Sequence, residues 1–203
     1  MAGPKLEVPY FEFRAQCARH VTIATALGSI APELQRLVAE LVMIRVFDGF
    51  QDALQGIATR IVCGAPYLDG ACPNLLVSPA RSTDAAVAMM RTHNRQRPTD
   101  LKWSKASYIS DNVRHVVASG DHFTRTLGNH GAIIAEMQAV RNRIAHRNDN
   151  SRRAFNRVVV QRYGGNKNNV TPGLLLLTPR FQPRVLDEYI VSCRAIVKAA
   201  IKA

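Results

Sequence analysis

Apolar residues recur at steps of three and four along most of the chain, the spacing of amphipathic helices. The clearest run covers residues 33–62, where Leu34, Leu37, Leu41, Ile44, Phe47, Phe50, Leu54, Ile57 and Ile61 form one continuous stripe. This predicts a long bundle helix whose stripe is core or dimer seam. Pro32 suits its first turn, and Gly49 and Gly56, each costing about 1 kcal/mol relative to alanine, mark a bend. A shorter helix is expected over residues 10–28.

The stretch CGAPYLDGACPNLLVSPAR, residues 63–81, gathers glycine and proline and reads as a connecting loop. Helical spacing returns over Thr83–Gln96, pauses near Pro98 and resumes over Ser104–Ala118. LGNHG at 127–131 reads as a turn, and the helix after it, AIIAEMQAVRNRIAH, places Ile133, Met137, Val140 and Ile144 along one face. FNRVVVQRY and TPGLLLLTP, separated by GGNKNN, read as two β-runs paired in a hairpin within 155–178. A last helix from about Pro183 turns Leu186, Ile190, Cys193 and Val197 inward. Together these predict an all-α fold. It is a bundle of about five to six helices with one short β-hairpin before the last, in a single domain over residues 1–203.

Composition narrows the partners. No uncharged apolar run approaches the roughly 20 residues of a bilayer span, so no membrane partner is expected. The N-terminus lacks the cationic start and apolar centre of an export signal, which favours the cytoplasm. Cys17, Cys63, Cys72 and Cys193 are scattered without zinc-knuckle spacing and read as reduced thiols, small core residues rather than metal ligands. No metal and no cofactor is expected.

The charge is uneven. Against 15 acidic residues stand 27 lysines and arginines, a net +12 with a pI near 10.2. The excess is 0 over residues 1–60, +3 over 61–120 and +9 over 121–203. A field concentrated at one end favours a polyanion, above all nucleic acid, because each neutralised phosphate releases counterions. Arginines outnumber lysines 21 to 6, which suits bidentate phosphate recognition, although a GC-rich genome would give the same bias. Arg91, Arg95, Arg97, Lys102 and Lys105 surround Trp103, which suggests either a base-stacking strip or a solvated linker with a half-buried tryptophan.

Within the basic end, RNRIAH places Arg141, Asn142 and His146 on the last turns of a well-patterned helix. Asn142 and His146, four apart, share a face, while Arg141 is turned from His146 by about 140°. The same Arg-to-His spacing recurs at Arg125 and His130, so spacing alone decides nothing. Cations in a last helical turn also complement the macrodipole, which would explain Arg141, Arg143, His146 and Arg147 without function. Asn142 is what that account leaves unexplained, being a mediocre helix former where the dipole asks for nothing.

RNRIAH resembles the signature of the HEPN superfamily, the higher eukaryote and prokaryote nucleotide-binding domains, in which Arg, a polar residue, three variable residues and His end a bundle helix. The order of long helices, motif helix and closing helix is similar as well. The resemblance implies a homodimer with the motif helices of two protomers facing each other. It also implies metal-independent endoribonuclease activity, in many members as a toxin or abortive-infection effector in antiviral defence, with a cognate antitoxin or defence-system protein as a further partner. His146 would be the general acid/base, Arg141 would hold the scissile phosphate and Asn142 would orient the phosphate or the imidazole. The products would be a 2′,3′-cyclic phosphate and a 5′-hydroxyl. Such chemistry suits these residue types, since histidine ordinarily titrates near pH 6.5 and arginine stays charged. Arg143, Arg147, Arg152, Arg153, Arg157 and Arg162, with Arg95, Arg97, Lys102 and Lys105, would contact RNA beyond the cleavage point. Relatives paired with a nucleotidyltransferase antitoxin often carry tyrosine two positions after the histidine; Asn148 stands here, so regulation by modifying that tyrosine is not expected. The competing expectations are a non-catalytic RNA-binding or partner-binding module, and a plain helical domain whose charge confers solubility.

Overall fold

A computed structural model describes residues 4–93 and 101–203, so the expectations on Arg95, Gln96, Arg97 and Pro98 lie outside the described residues. The described residues form nine α-helices and no paired strands: α1 (Glu7–Ala26), α2 (Pro32–Val62), α3 (Thr83–His93), α4 (Ala106–Val113), α5 (His122–Asn129), α6 (Gly131–Ala145), α7 (Asp149–Tyr163), α8 (Pro172–Leu177) and α9 (Val185–Ala200). The all-α expectation holds, but the helices among the described residues number nine rather than five to six, because the segments at 106–129 and 149–177 each fold as two short or separate helices. None of these helices is long and apolar enough to cross a membrane.

The bundle is built around α2, with α1, α3, α6, α8 and α9 packed about it. Pro32 opens it at the first turn, where a missing N–H costs nothing. From Phe47 onward the expected stripe is core, as Phe47, Phe50, Leu54, Ile57 and Ile61 are fully buried. Upstream the stripe is corrected. Leu34, Leu37 and Leu41 face solvent, 53%, 57% and 61% exposed, because Ala39, Val42, Met43 and Val46 form a second apolar face there and that face turns inward. Gly49 and Gly56 lie where α1 approaches closely. A Cβ on Gly49 would lie 2.2 Å from Gln16 Oε1, and one on Gly56 would lie 3.2 Å from Pro9.

The expected hairpin is absent. FNRVVVQRY is the body of α7, because Phe155, Val158 and Val159 also fit helical spacing and bury one face against α6. Asn148 caps this helix by accepting from Ser151 N–H, and Gly164 ends it in the left-handed region at φ 72°. TPGLLLLTP forms the short helix α8, with Thr171 as its cap and Pro172 at its start. Two further corrections are small. Leu127–Asn129 belong to α5 rather than to a turn, and α4 covers only Ala106–Val113, after which Leu76 N–H bonds Val116 O and Ala118 N–H bonds Asn74 O.

Loop 63–81 is strapped to the bundle through Asp121. Its carboxylate caps α5 at Phe123 N–H, takes the Tyr67 hydroxyl at 2.5 Å and takes Asn74 N–H at 2.8 Å. Burial, then the hydrogen bond and charge of Asp121, raise the Tyr67 hydroxyl far above its ordinary range, so it stays a donor. Of the four free thiols only Cys17 and Cys193 are core residues; Cys63 is half-buried and Cys72 exposed. Burial pushes the Cys17 thiol up to about 12.

Candidate nucleic-acid interface

The α6–α7 corner fixes the motif. Helix α6 runs through Ala145, and His146 leaves it with extended backbone at φ −135° and ψ 119°. Its N–H still closes the last turn on Asn142 O, and its carbonyl accepts from the hydroxyl of Ser151, a nearly buried residue. Asn148 then starts α7. The main chain at His146 is thereby held from both sides while its side chain is exposed.

Between α6, α7 and the start of α4 lies a groove of about 1010 Å³. Asn142, His146, Arg153, Arg157, Gln161 and Lys105 border it, and Ala135, Ala139 and Ala154 leave it deep. Asn142 and His146 both border the groove, but His146 is not on the helix as the sequence suggested: its N–H bond to Asn142 O holds it one turn on while its backbone already turns out of α6. Arg157 has no acidic partner among the described residues. Arg153 has only Asn150, its Nη2 donating to Oδ1 at 2.8 Å. Lys105 sits 5.0 Å from the centre of the Tyr108 ring. Arg143 and Arg147 near the corner are also without acidic partners among the described residues. Arg152 bridges to Asp149 at 3.0 Å, an exposed pair that contributes little and that a phosphate displaces easily.

Arg141 does not join them. One step from Asn142 rotates it about 100° around α6. Its Nη2 donates to Asp48 Oδ1 on α2 at 3.0 Å, and its Nε, shielded from solvent, has no partner among the described residues. It borders a second cleft of about 370 Å³, lined also by Asp48, Gln51, Asp52, Lys102 and Trp103. Within one chain, then, the three motif residues open onto two clefts.

No family model, no curated protein and no solved structure matches the chain.

Two sequence expectations are corrected by burial. Arg162 is a structural cation. Its Nε donates to Glu136 Oε1 at 2.6 Å and its Nη1 and Nη2 to the two oxygens of Glu188 at 2.6 and 2.9 Å, while Tyr189 OH donates to Glu136 Oε1 at 2.7 Å. Burial alone would lower the Arg162 pKa, but the hydrogen bonds of Glu188 and the charge of Glu136 raise it above the ordinary value. Arg162 thus ties α7 to α6 and α9 and cannot track RNA. Trp103 is 5% exposed, which excludes a surface stacking strip and equally a half-buried linker residue. Lys102 is exposed but lies at the second cleft, away from the groove.

Sequence reasoning missed Asp48 and Ser151. Asp48 meets Arg141 across 93 positions, a separation no local pattern reports. Ser151 three places after Asn148 is an ordinary capping signal that the β-reading of the following residues obscured. Among the described residues no three His, Cys, Asp or Glu side chains group as metal ligands.

Proposed function

We propose that the α6–α7 groove binds RNA and that the chain, as a two-fold dimer, cleaves it without a metal ion. The single observation that carries this reading is an exposed imidazole that shares, with the Asn142 amide, a groove whose cations lack acidic partners among the described residues. Counterion release gives such a groove affinity for any polyanion. Among nucleic acids only RNA carries, beside each phosphate, a 2′-hydroxyl that an imidazole acting as general base can turn into the attacking group.

In this reading one His146 takes the proton from O2′, which attacks phosphorus as the P–O5′ bond breaks. A second His146, from the other copy, protonates the departing O5′, leaving a 2′,3′-cyclic phosphate and a 5′-hydroxyl. Asn142 orients the phosphate or the imidazole, and Arg141 opposes the growing phosphate charge after exchanging Asp48 for it. The motif resembles that of HEPN ribonucleases, and with it come the proposed toxin or defence role, a neutralising partner protein and a cytoplasmic setting.

The engagement of Arg141 by Asp48, facing away from His146, favours a second reading: a non-catalytic RNA-binding module. Purified protein incubated with RNA in EDTA separates the two. Cleavage that His146→Ala abolishes supports the ribonuclease; intact RNA with salt-sensitive gel-shift retention supports the binding module; neither cleavage nor retention removes both.

A further inference from the structure

The first half of α2 carries an apolar face that no described residue covers. Leu34, Leu37 and Leu41 are each more than half exposed, and the half-buried Ile44 extends the line. Their steps of three, four and three are the a and d positions of a heptad, and Ile30, 37% exposed just before the helix, keeps the same register. They lie on the side of α2 opposite Ala39, Val42, Met43 and Val46, which face the core. Single exposed leucines are ordinary on any surface, whereas a line of them along one helix face marks an interaction site.

Charge decides what fits there. Residues 30–48 hold Glu33, Glu40 and Asp48 against Arg36 and Arg45, in a chain whose net charge is +12. The face lacks the cations that a polyanion needs, and on it two copies of so basic a chain can meet without repulsion. Its flanks match as well. With Leu34 at a, Glu40 takes a g position and Arg45 the e position five residues on, and two parallel helices bring the g of one against that e of the other. Antiparallel helices would set g against g, so that Glu33 and Glu40 face the same acids of the second copy. Arg45 has no ion pair among the described residues, and Glu40 spends one oxygen on Gly173 N–H at 2.8 Å. We infer that a second copy of the chain docks on this face, α2 against α2 in parallel about a two-fold axis, with Leu34, Leu37, Leu41 and Ile44 as the seam. The seam leads to the site: Asp48 is the next a position, about 10 Å beyond Leu41 at 1.5 Å per residue, and it holds Arg141. A copy seated on the leucines sets both Asp48–Arg141 pairs beside the axis, which gives the shared cleft its place in the dimer. The inference deepens the proposed dimeric reading and rests on it for the two-fold symmetry, while its test makes no use of cleavage.

Sedimentation equilibrium of the full chain at about 100 µM should give a mass twice 22.4 kDa. Leu37→Lys with Leu41→Lys should reduce it to one chain and leave the helix content unchanged, since both positions are exposed. Val191→Lys, equally exposed but on α9, should leave the dimer intact. Arg45→Glu, which sets acid against acid across the seam, should raise the dissociation constant at least about tenfold. With Cys72→Ser removing the exposed native thiol, Leu34→Cys should form a covalent dimer in oxidised glutathione, because residue 34 meets its own copy only in the parallel register; the Cys72→Ser chain alone should not. A wild-type mass of one chain overturns the inference, whether or not neutral lipid vesicles then capture it through the same leucines. So does a dimer that survives both lysines, or a Leu34→Cys chain that stays single. The ribonuclease reading fails differently: the dimer forms and splits in this way while RNA stays intact in EDTA.

Discussion

Replacing Arg162 with leucine tests whether this cation belongs to the fold or to the RNA path. The change leaves Glu136 and Glu188 without their guanidinium. Glu188, at 36% side-chain exposure, can be solvated and contributes little; Glu136, at 13%, cannot, and keeps only the Tyr189 hydroxyl. Removing one partner of a buried ion pair costs about 3–5 kcal/mol, and with only one carboxylate stranded the lower end applies, about 3 kcal/mol. For a chain of this size each kcal/mol is worth about 2–4 °C, so the melting temperature should fall by about 6–12 °C. Leucine at both Arg162 and Glu136 removes the stranded charge and orphans only the Tyr189 hydroxyl, which should return the loss to about 1–2 kcal/mol. Urea unfolding followed by far-ultraviolet circular dichroism gives both values, with Arg152→Leu, an exposed cation, as the control for net charge. A single-variant cost below about 1 kcal/mol, or a double variant no better than the single, would refute the argument from burial. So would a loss of RNA retention matching that of an Arg157 variant.

His20 predicts acid sensitivity of the fold. Burial first, then the charges of Arg19 and Arg45, hold its pKa below the ordinary value, and neither ring nitrogen has a partner among the described residues. Below about pH 6.5 the unfolded chain therefore binds the proton more readily than the folded one, so stability falls as pH drops through that window. His20→Leu should flatten the dependence; urea midpoints measured at pH 7 and at roughly pH 5 would expose an equal slope in both proteins and so reject the idea. In the groove, Arg153→Gln with Arg157→Gln should lower the slope of log affinity against log salt by about 1.4, if each cation neutralises one phosphate of a single strand. Gel-shift series at several salt concentrations give the slope, and an unchanged value would move RNA off this groove.

Helix type was legible wherever one face alone is apolar, as in α9, where Leu186, Ile190, Cys193 and Val197 are all buried. Along the first turns of α2 two apolar faces compete, and periodicity cannot say that Val42 and Met43 turn inward while Leu37 and Leu41 do not. The choice is made by what packs against the helix. In α7 the run Val158–Val160 outweighed the cap at Asn148 because β-branched residues favour strands locally, and packing on α6 reversed that preference. That Asn142 and His146 border one groove was legible in their four-residue spacing; that His146 leaves the helix was not. The partners of Arg141 and Arg162 did not, since Asp48 and Glu136 approach them only through the tertiary fold.

The separation of Arg141 from His146 makes a dimeric site testable without seeing the dimer. Within one chain the two side chains open onto different clefts. If both act on one phosphate, the arginine and the imidazole come from different copies, and two-fold symmetry forms two such pairs. Arg141→Ala and His146→Ala chains should each be inactive alone. Wild-type chains mixed with an equal amount of His146→Ala chains and allowed to exchange leave only a quarter of the dimers with two imidazoles. If the cleft needs one imidazole from each copy, the mixture should keep about half of the cleavage rate the same wild-type protein shows unmixed. A site built within one chain loses nothing on mixing, since every wild-type chain still carries both of its groups. An undiminished rate in a mixture shown to contain mixed dimers would therefore rule out the shared cleft.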